Sequence, residues 1–134
     1  MKLTFTVTGE PKPQGSKRGF VTRTGKVALV EQAGKPLKTW RNEVTLTAAF
    51  ESENQGWTIT DKPIQATITF RLNKPQRPKA PLPSTRPDLD KLIRAVLDAI
   101  TAAHNIWVDD SQVVTLTARK TYGTPGVSVE LTTS

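Results

Sequence analysis

Cysteine is absent from this 134-residue chain, and histidine occurs once, at position 104. Disulfide staples, thiolate nucleophiles, Cys-ligated zinc and His-cluster metal sites are thereby excluded, so a bound metal has to take oxygen ligands. Acidic residues are outnumbered too: 12 Asp plus Glu stand against 19 Lys plus Arg, a formal charge of +7 with a pI near 10.0. A domain this basic points to a polyanionic partner, nucleic acid first. Long apolar runs are missing, so no membrane span is expected, and the start MKLTFTVTGE lacks the apolar stretch of a signal peptide. A cytoplasmic protein is the expectation. Apolar residues at 36% and charged residues at 23% fit a globular chain rather than a disordered one, and the length suits a single domain over 1–134.

What is present reads as strands and helices in turn. Leu3, Phe5 and Val7 alternate with Thr4, Thr6 and Thr8, the period of a half-buried strand. Residues 9–19, GEPKPQGSKRG, hold Gly, Pro and cations without periodicity and predict a loop open to phosphate. Phe20 to Val30 reads as a short hairpin around Arg23, Thr24 and Gly25. Leu37, Trp40, Val44 and Ala48 are spaced for a helix over Pro36 to Phe50, and Ile64 to Leu72 alternates as a second long strand. Residues 73–87, NKPQRPKAPLPSTRP, hold five of the ten prolines and predict an extended cationic loop. The stripe Leu89, Leu92, Ile93, Val96, Leu97, Ile100 predicts a second helix from Asp88 to Ala103. Val113 to Lys120 and Val127 to Leu131, on either side of a turn at Tyr122 to Gly126, read as a closing hairpin. The order strand, helix, strand, helix, strand, strand is that of an α+β domain with one mixed sheet and two main helices.

Two acidic pairs carry the chemistry. Asp88 and Asp90 stand two apart at the mouth of the second helix, where a regular helical turn would set them roughly 200° apart. To converge on one ion, Asp88 must precede the helix as its N-cap. Capping and dipole compensation alone explain the pair equally well. Asp109 and Asp110 follow the apolar Ile106, Trp107 and Val108, and a plain turn before the next strand explains them too. Yet four of the six aspartates flank one helix, and clustered hard oxygen donors are what Mg²⁺ requires. Carboxylate-bound Mg²⁺ in a basic protein is apparatus for phosphodiester hydrolysis. Arg94, four residues after Asp90, either pairs with it or contacts a phosphate, and a surface ion pair with Asp98 is the plainer alternative. Lys120 is a second candidate for phosphate contact, set against a solvated strand terminus. His104 reads as a helix-dipole partner. Trp40 and Trp107 read as core, and Trp57, in a polar linker, is left open.

RPDLDKLIRAVLDAI, followed after a gap by WVDDSQVVTLTARK, resembles the RusA family of Holliday-junction resolvases, endonucleases of phage and bacterial origin. The likeness is specific over residues 86–120 and looser in the first strand and the loop P11 to R18. It implies a small α+β homodimer that uses Mg²⁺, with Mn²⁺ as a substitute, to place symmetric nicks in a four-way DNA junction during recombination and repair. On matching positions it makes Asp88, Asp90 and Asp110 the catalytic metal ligands, sets Arg94 where some members have a catalytic lysine, and puts Asp109 behind the ligands as an acidic support. Lys91 stands where some members carry Asn. Arg94 keeps the lysine's charge but does not release a proton near neutrality. Lys12, Lys17, Arg18, Lys74, Arg77, Lys79, Arg86, Lys91 and Lys120 are the expected DNA contacts. The strand Ile64 to Leu72 and the hairpin Phe20 to Val30 are the candidate dimer edges. Competing expectations are a non-catalytic nucleic-acid-binding module with the same basic loops, and a nuclease of the same chemistry acting on flaps or RNA.

Overall fold

The computed structural model describes the backbone of residues 1–15, 17–21, 27–31 and 34–133, and the side chains of 1–15 and 34–133. The elements run β1 (Lys2–Thr8), β2 (Lys17–Val21), β3 (Val27–Glu31), α1 (Gly34–Asn54), β4 (Ile64–Leu72), α2 (Leu89–Ala102), a 3-10 turn at Asp110–Gln112, β5 (Val113–Tyr122) and β6 (Gly126–Thr133). A four-stranded mixed sheet has the order β1-β6-β4-β5, and β2 pairs with β3 as a separate antiparallel ribbon. The expected α+β architecture and element order hold. The ribbon is the expected hairpin, begun earlier, at Lys17; its turn at Arg23, Thr24 and Gly25 lies outside the described residues.

Period-two alternation in three strands builds the core in rows. Leu3, Leu131 and Ala66 stand in register, as do Phe5, Val129 and Ile68, and Val7, Val127 and Phe70, all of them buried. Leu37, Trp40, Val44 and Ala48 from α1 and Leu92, Val96, Ala99 and Ile100 from α2 are buried too and cover that face. The opposite face carries Thr4, Thr6, Thr67 and Ser128 toward solvent, as the intervening positions require. Gly126 is needed where β6 meets β1, because a Cβ there would stand 2.5 Å from the Val7 carbonyl oxygen.

Helix boundaries differ from expectation only at polar ends. α1 begins two residues before Pro36 and runs four past Phe50; its buried stripe continues through Ser52, whose hydroxyl donates to the carbonyls of Trp57 and Asn105. α2 begins and ends one residue inside the expected limits, with Asp88 and Ala103 as its caps. All three tryptophans are buried, and Trp57 donates from Nε1 to the Ile106 carbonyl at 2.9 Å, which places the linker tryptophan in the core.

Two expectations about the sheet are corrected. β5 and β6 do not form a hairpin: β5 pairs in parallel with β4, and β6 lies antiparallel between β1 and β4. The reversal at Gly123–Pro125 instead crosses the end of β4, held there by the Gly123 amide on the Leu72 carbonyl and by Arg71 Nε on the Thr124 carbonyl. The physical reason is burial. β6 presents Val127, Val129 and Leu131, all fully buried or nearly so, and takes a central place, whereas Val114 and Leu116 of β5 remain exposed at the rim. The same order removes Ile64–Leu72 from the candidate dimer edges, since β4 is paired on both sides and the edges of this sheet are β1 and β5.

Candidate active site

Parallel pairing of β4 and β5 makes α2 the crossover between them, so the helix runs back along the strands. Its N-terminus therefore lies at the C-terminal end of β5 and its C-terminus near the 3-10 turn that opens β5. Each end carries one of the two acidic pairs.

At the N-terminal end Asp88 has extended backbone angles, φ −69 and ψ 135, and is the N-cap by position. Its side chain makes no capping hydrogen bond. The capping explanation thus fails for Asp88, whose carboxylate instead lies 3.9 Å from Lys91 Nζ, a half-exposed ion pair of small energetic weight. Asp90 in the first turn is exposed, and Arg94, one turn on, is exposed and makes neither the pair with Asp90 nor the one with Asp98 among the described residues. The loop before β2 closes over this end: the Gln14 amide donates to the Lys91 carbonyl at 2.9 Å. Between loop and helix lies a cavity of about 510 Å³, lined by Pro11, Pro13 and Pro87 with Lys12, Arg86, Asp88 and Lys91. It joins carboxylate and cations in one open cleft. Lys12 also pairs with Glu10 at 3.4 Å. Lys74, Arg77 and Lys79 are exposed on the loop leading to the helix. The side chains of Lys17 and Arg18 lie outside the described residues.

Lys120 reaches this end from β5, and its ammonium donates to the carbonyls of Thr85 and Pro87, both at 2.9 Å. Two of its three N–H groups are thus taken by backbone acceptors rather than left for phosphate.

At the other end the two aspartates are put to different uses. Asp109 accepts from the Ser111 amide at 3.0 Å, and Gln112 Oε1 accepts from the amides of Val108 and Asp109, a reciprocal capping box. Hydrogen bonds from Ser111 hold the Asp109 carboxyl below the usual carboxylate range. Asp110 is pushed above it, first by burial, then by the charges of Asp109 and Asp98. His104 takes a left-handed φ of 63 just past the helix C-cap, the position glycine usually fills.

One chain does not unite the three carboxylates. Asp98, the helical charge that reaches Asp110, stands about 12 Å beyond Asp90 along the axis at 1.5 Å per residue. Along β5, Val113 is about 23 Å from Lys120, which touches Pro87. Among the described residues no group of three Asp, Glu, His or Cys side chains is placed to hold a metal ion. Asp88 and Asp90 offer hard oxygen donors of the kind Mg²⁺ takes, but the third donor lies at the far end of the helix.

The chain matches Endodeoxyribonuclease RusA over residues 9–132. It belongs to the RusA family. A relative in Bacillus subtilis (strain 168), the uncharacterized protein YqaN, is 34% identical over 132 residues, covering 90% of this chain and 87% of that protein. RusA membership makes the chain a nuclease of DNA in the class that resolves Holliday junctions, a class that works with divalent metal ions. No helix among the described residues is long and apolar enough to cross a membrane. The RusA match starts at Gly9, so it takes in the loop that closes over Asp88 as well as the two acidic pairs.

Several features of the site had no place in the sequence reading. The Asp109-x-x-Gln112 spacing is a capping-box signature and was there to be read. Asp98, weighed from the sequence only as a partner for Arg94, lies on the same helix face as Asp90 and Arg94, and its charge reaches Asp110 instead. The amide of Gln14 and the carbonyl partners of Lys120 are backbone groups, which no residue pattern announces.

Proposed function

We propose that this protein is an Mg²⁺-dependent endonuclease that acts as a homodimer and resolves four-way DNA junctions by paired symmetric nicks in recombination and repair. The observation that carries the reading is Asp88, exposed, not consumed by capping and set in a cleft with Lys12, Arg86 and Lys91, with the exposed Asp90 two residues on in the first turn of the helix. Exposed carboxylates beside cations are of no use to a module that only binds DNA, where they would repel phosphate. Here the cations hold the DNA backbone, Arg94 meets the phosphate from the next helical turn, and a bound divalent ion supplies water activation and charge neutralisation. Mn²⁺ is the expected substitute.

The division of the carboxylates gives the homodimer a chemical purpose. A single chain offers Asp88 and Asp90 at one end of α2 and Asp110 at the other, so a three-carboxylate site is completed by Asp110 of a second copy. A two-fold axis supplies this twice, and with it two sites of matching symmetry for two strands. Light scattering is expected to give about twice 14.7 kDa. Mixing inactive Asp90→Asn chains with inactive Asp110→Asn chains tests the arrangement: heterodimers regain one intact site and nick one strand of a synthetic junction. If each chain carries its own complete site, the mixture stays dead. A wild-type protein that binds junctions but cuts none with Mg²⁺ or Mn²⁺ would overturn the enzyme reading itself.

A further inference from the structure

Lys120 was expected to meet DNA, and its surroundings give it other work. It stands next to Phe70 in the register of β4 and β5, on the face that the helices cover, and Phe70 is fully buried. The side chain thus rises from a fixed base. Its ammonium ends on the carbonyls of Thr85 and Pro87, the residues that bring the chain into α2. Those carbonyls flank the entry, and Asp88 follows at once. Among the described residues no side chain of the helix fixes that entry, because Asp88 makes no cap and its ion pair with Lys91 is long, at 3.9 Å. The other cations near the site differ: among the described residues Arg86, Arg94, Lys74, Arg77 and Lys79 donate to no protein acceptor.

We propose that Lys120 is a positioning residue, whose ammonium clamps the Thr85–Pro87 backbone to the sheet and thereby sets where Asp88 and Asp90 stand. Its partners are carbonyl oxygens, which accept strongly from a charged donor and impose direction on it. Only one N–H of the ammonium is left for a phosphate. On the first turn of α2 the Gln14 amide holds the Lys91 carbonyl. The start of the helix is therefore held through the backbone at two points, while Asp88 lines the cleft and Asp90 is exposed beside it. This assignment rests on the reading of Asp88 and Asp90 as the reactive carboxylates; the clamp itself does not.

Lys120→Met keeps the stem and removes the donors, and Lys120→Arg restores two. With saturating enzyme and Mg²⁺, single-turnover cleavage of a four-way junction is expected to fall about 10- to 100-fold in the Met variant, the range a small misplacement of reacting groups produces. Junction affinity in metal-free buffer and its salt dependence stay as in wild type, and Lys120→Arg recovers most of the rate. Weaker junction binding with a salt slope reduced by about one, at an unchanged saturating rate, is the signature of a phosphate contact and overturns the proposal. Amide hydrogen exchange supplies a readout free of activity: residues 92–95, whose amides bond the carbonyls of 88–91, exchange faster in Lys120→Met, while the rest of β5 is unchanged. Unaltered exchange there overturns the clamp. If wild-type protein cuts no DNA, the nuclease reading has failed and the exchange result still decides Lys120. Should the Met variant not fold, Lys120→Gln takes its place, with the same slow cleavage and fast exchange expected.

Discussion

The two ends of α2 carry similar sequence and are built in opposite ways. At the N-terminal end the structural work falls on backbone groups: Lys120 on two carbonyls, the Gln14 amide on a third, and the amide of Leu92 on the Asp88 carbonyl. Asp88 and Asp90 are left exposed, with the long ion pair from Lys91 to Asp88 their one side-chain contact among the described residues. At the C-terminal end a carboxylate does the work, since Asp109 caps the 3-10 turn and Gln112 completes the box. Only Asp110 of that pair is left over. Two adjacent aspartates are thus sorted into a structural residue and a candidate reactive one by which of them the local backbone consumes.

The sharpest way to break this comparison is to neutralise each carboxylate in turn. Asp88→Asn, Asp90→Asn and Asp110→Asn are each expected to lower Mg²⁺-dependent junction cleavage by about three orders of magnitude or more, since groups acting as a unit fail together. Junction binding stays intact or tightens, because a charge that repels phosphate has gone. Asp109→Asn is expected to cost less than about tenfold, as a residue that only supports its neighbours. Equal losses at Asp109 and Asp110 would erase the distinction between them.

A smaller effect separates the cationic surface from the site. Charge reversal at Arg77 with Lys79, or at Lys17 with Arg18, is expected to weaken binding to all DNA sequences, and to lower the slope of log affinity against log salt by about 0.9 for each phosphate no longer neutralised. Titration at several salt concentrations checks this. An affinity flat in salt would take DNA backbone binding out of the picture.

Much of this was legible in residue patterns, and the failures share one cause. The stripes Leu37, Trp40, Val44, Ala48 and Leu92, Val96, Ile100 located both helices, because burial on one side imposes a period. Alternation likewise located every strand of the sheet. It says which side chains share a face but not which strand lies next to which, so the turn after β5 read as a hairpin although β4 separates its two arms. The acidic pairs were legible as candidates, but not how far apart one chain holds them. Their separation depends on the direction of α2 relative to β5, a property of the parallel pairing and not of either segment. Lys120 was noticed for its charge, yet its partners are carbonyls, which every residue has.

Below cleavage and binding comes a stability effect at the far end. Gln112 donates from Nε2 to the carbonyls of Thr60 and Lys62 and accepts from the amides of Val108 and Asp109. Gln112→Ala returns most of these groups to water, only the Thr60 contact being part-buried, and is expected to cost about 1 kcal/mol in urea unfolding. A variant as stable as wild type would show that the box does not hold the turn.

The smallest expected effect has a sign that tells Asp109 from Asp110 without any DNA. Asp110 titrates above the ordinary carboxylate value, so its contribution to stability is full below the unfolded value, about 3.9, and is lost as pH rises through the raised folded one. At neutral pH the ionised group is a burden, through burial and the charges of Asp109 and Asp98. Asp110→Asn is therefore expected to be more stable than wild type at pH 7 in EDTA, by no more than a few tenths of a kcal/mol given how far solvent screens it, about the weight of a surface charge pair. The gain fades as pH falls below the carboxylate range. Asp109 titrates below its ordinary value, so its contribution is present above that value and lost as pH falls through the lowered one. Asp109→Asn is accordingly expected to melt earlier than wild type at pH 7, with the gap closing in acid. Thermal melts of both variants from pH 3 to 8 give two difference curves of opposite sign. Curves of the same sign would mean that the turn does not divide its two carboxylates as its hydrogen bonds indicate. Added Mg²⁺ sharpens the contrast, since an ion held by Asp110 raises the melting point of wild type and of Asp109→Asn but not of Asp110→Asn.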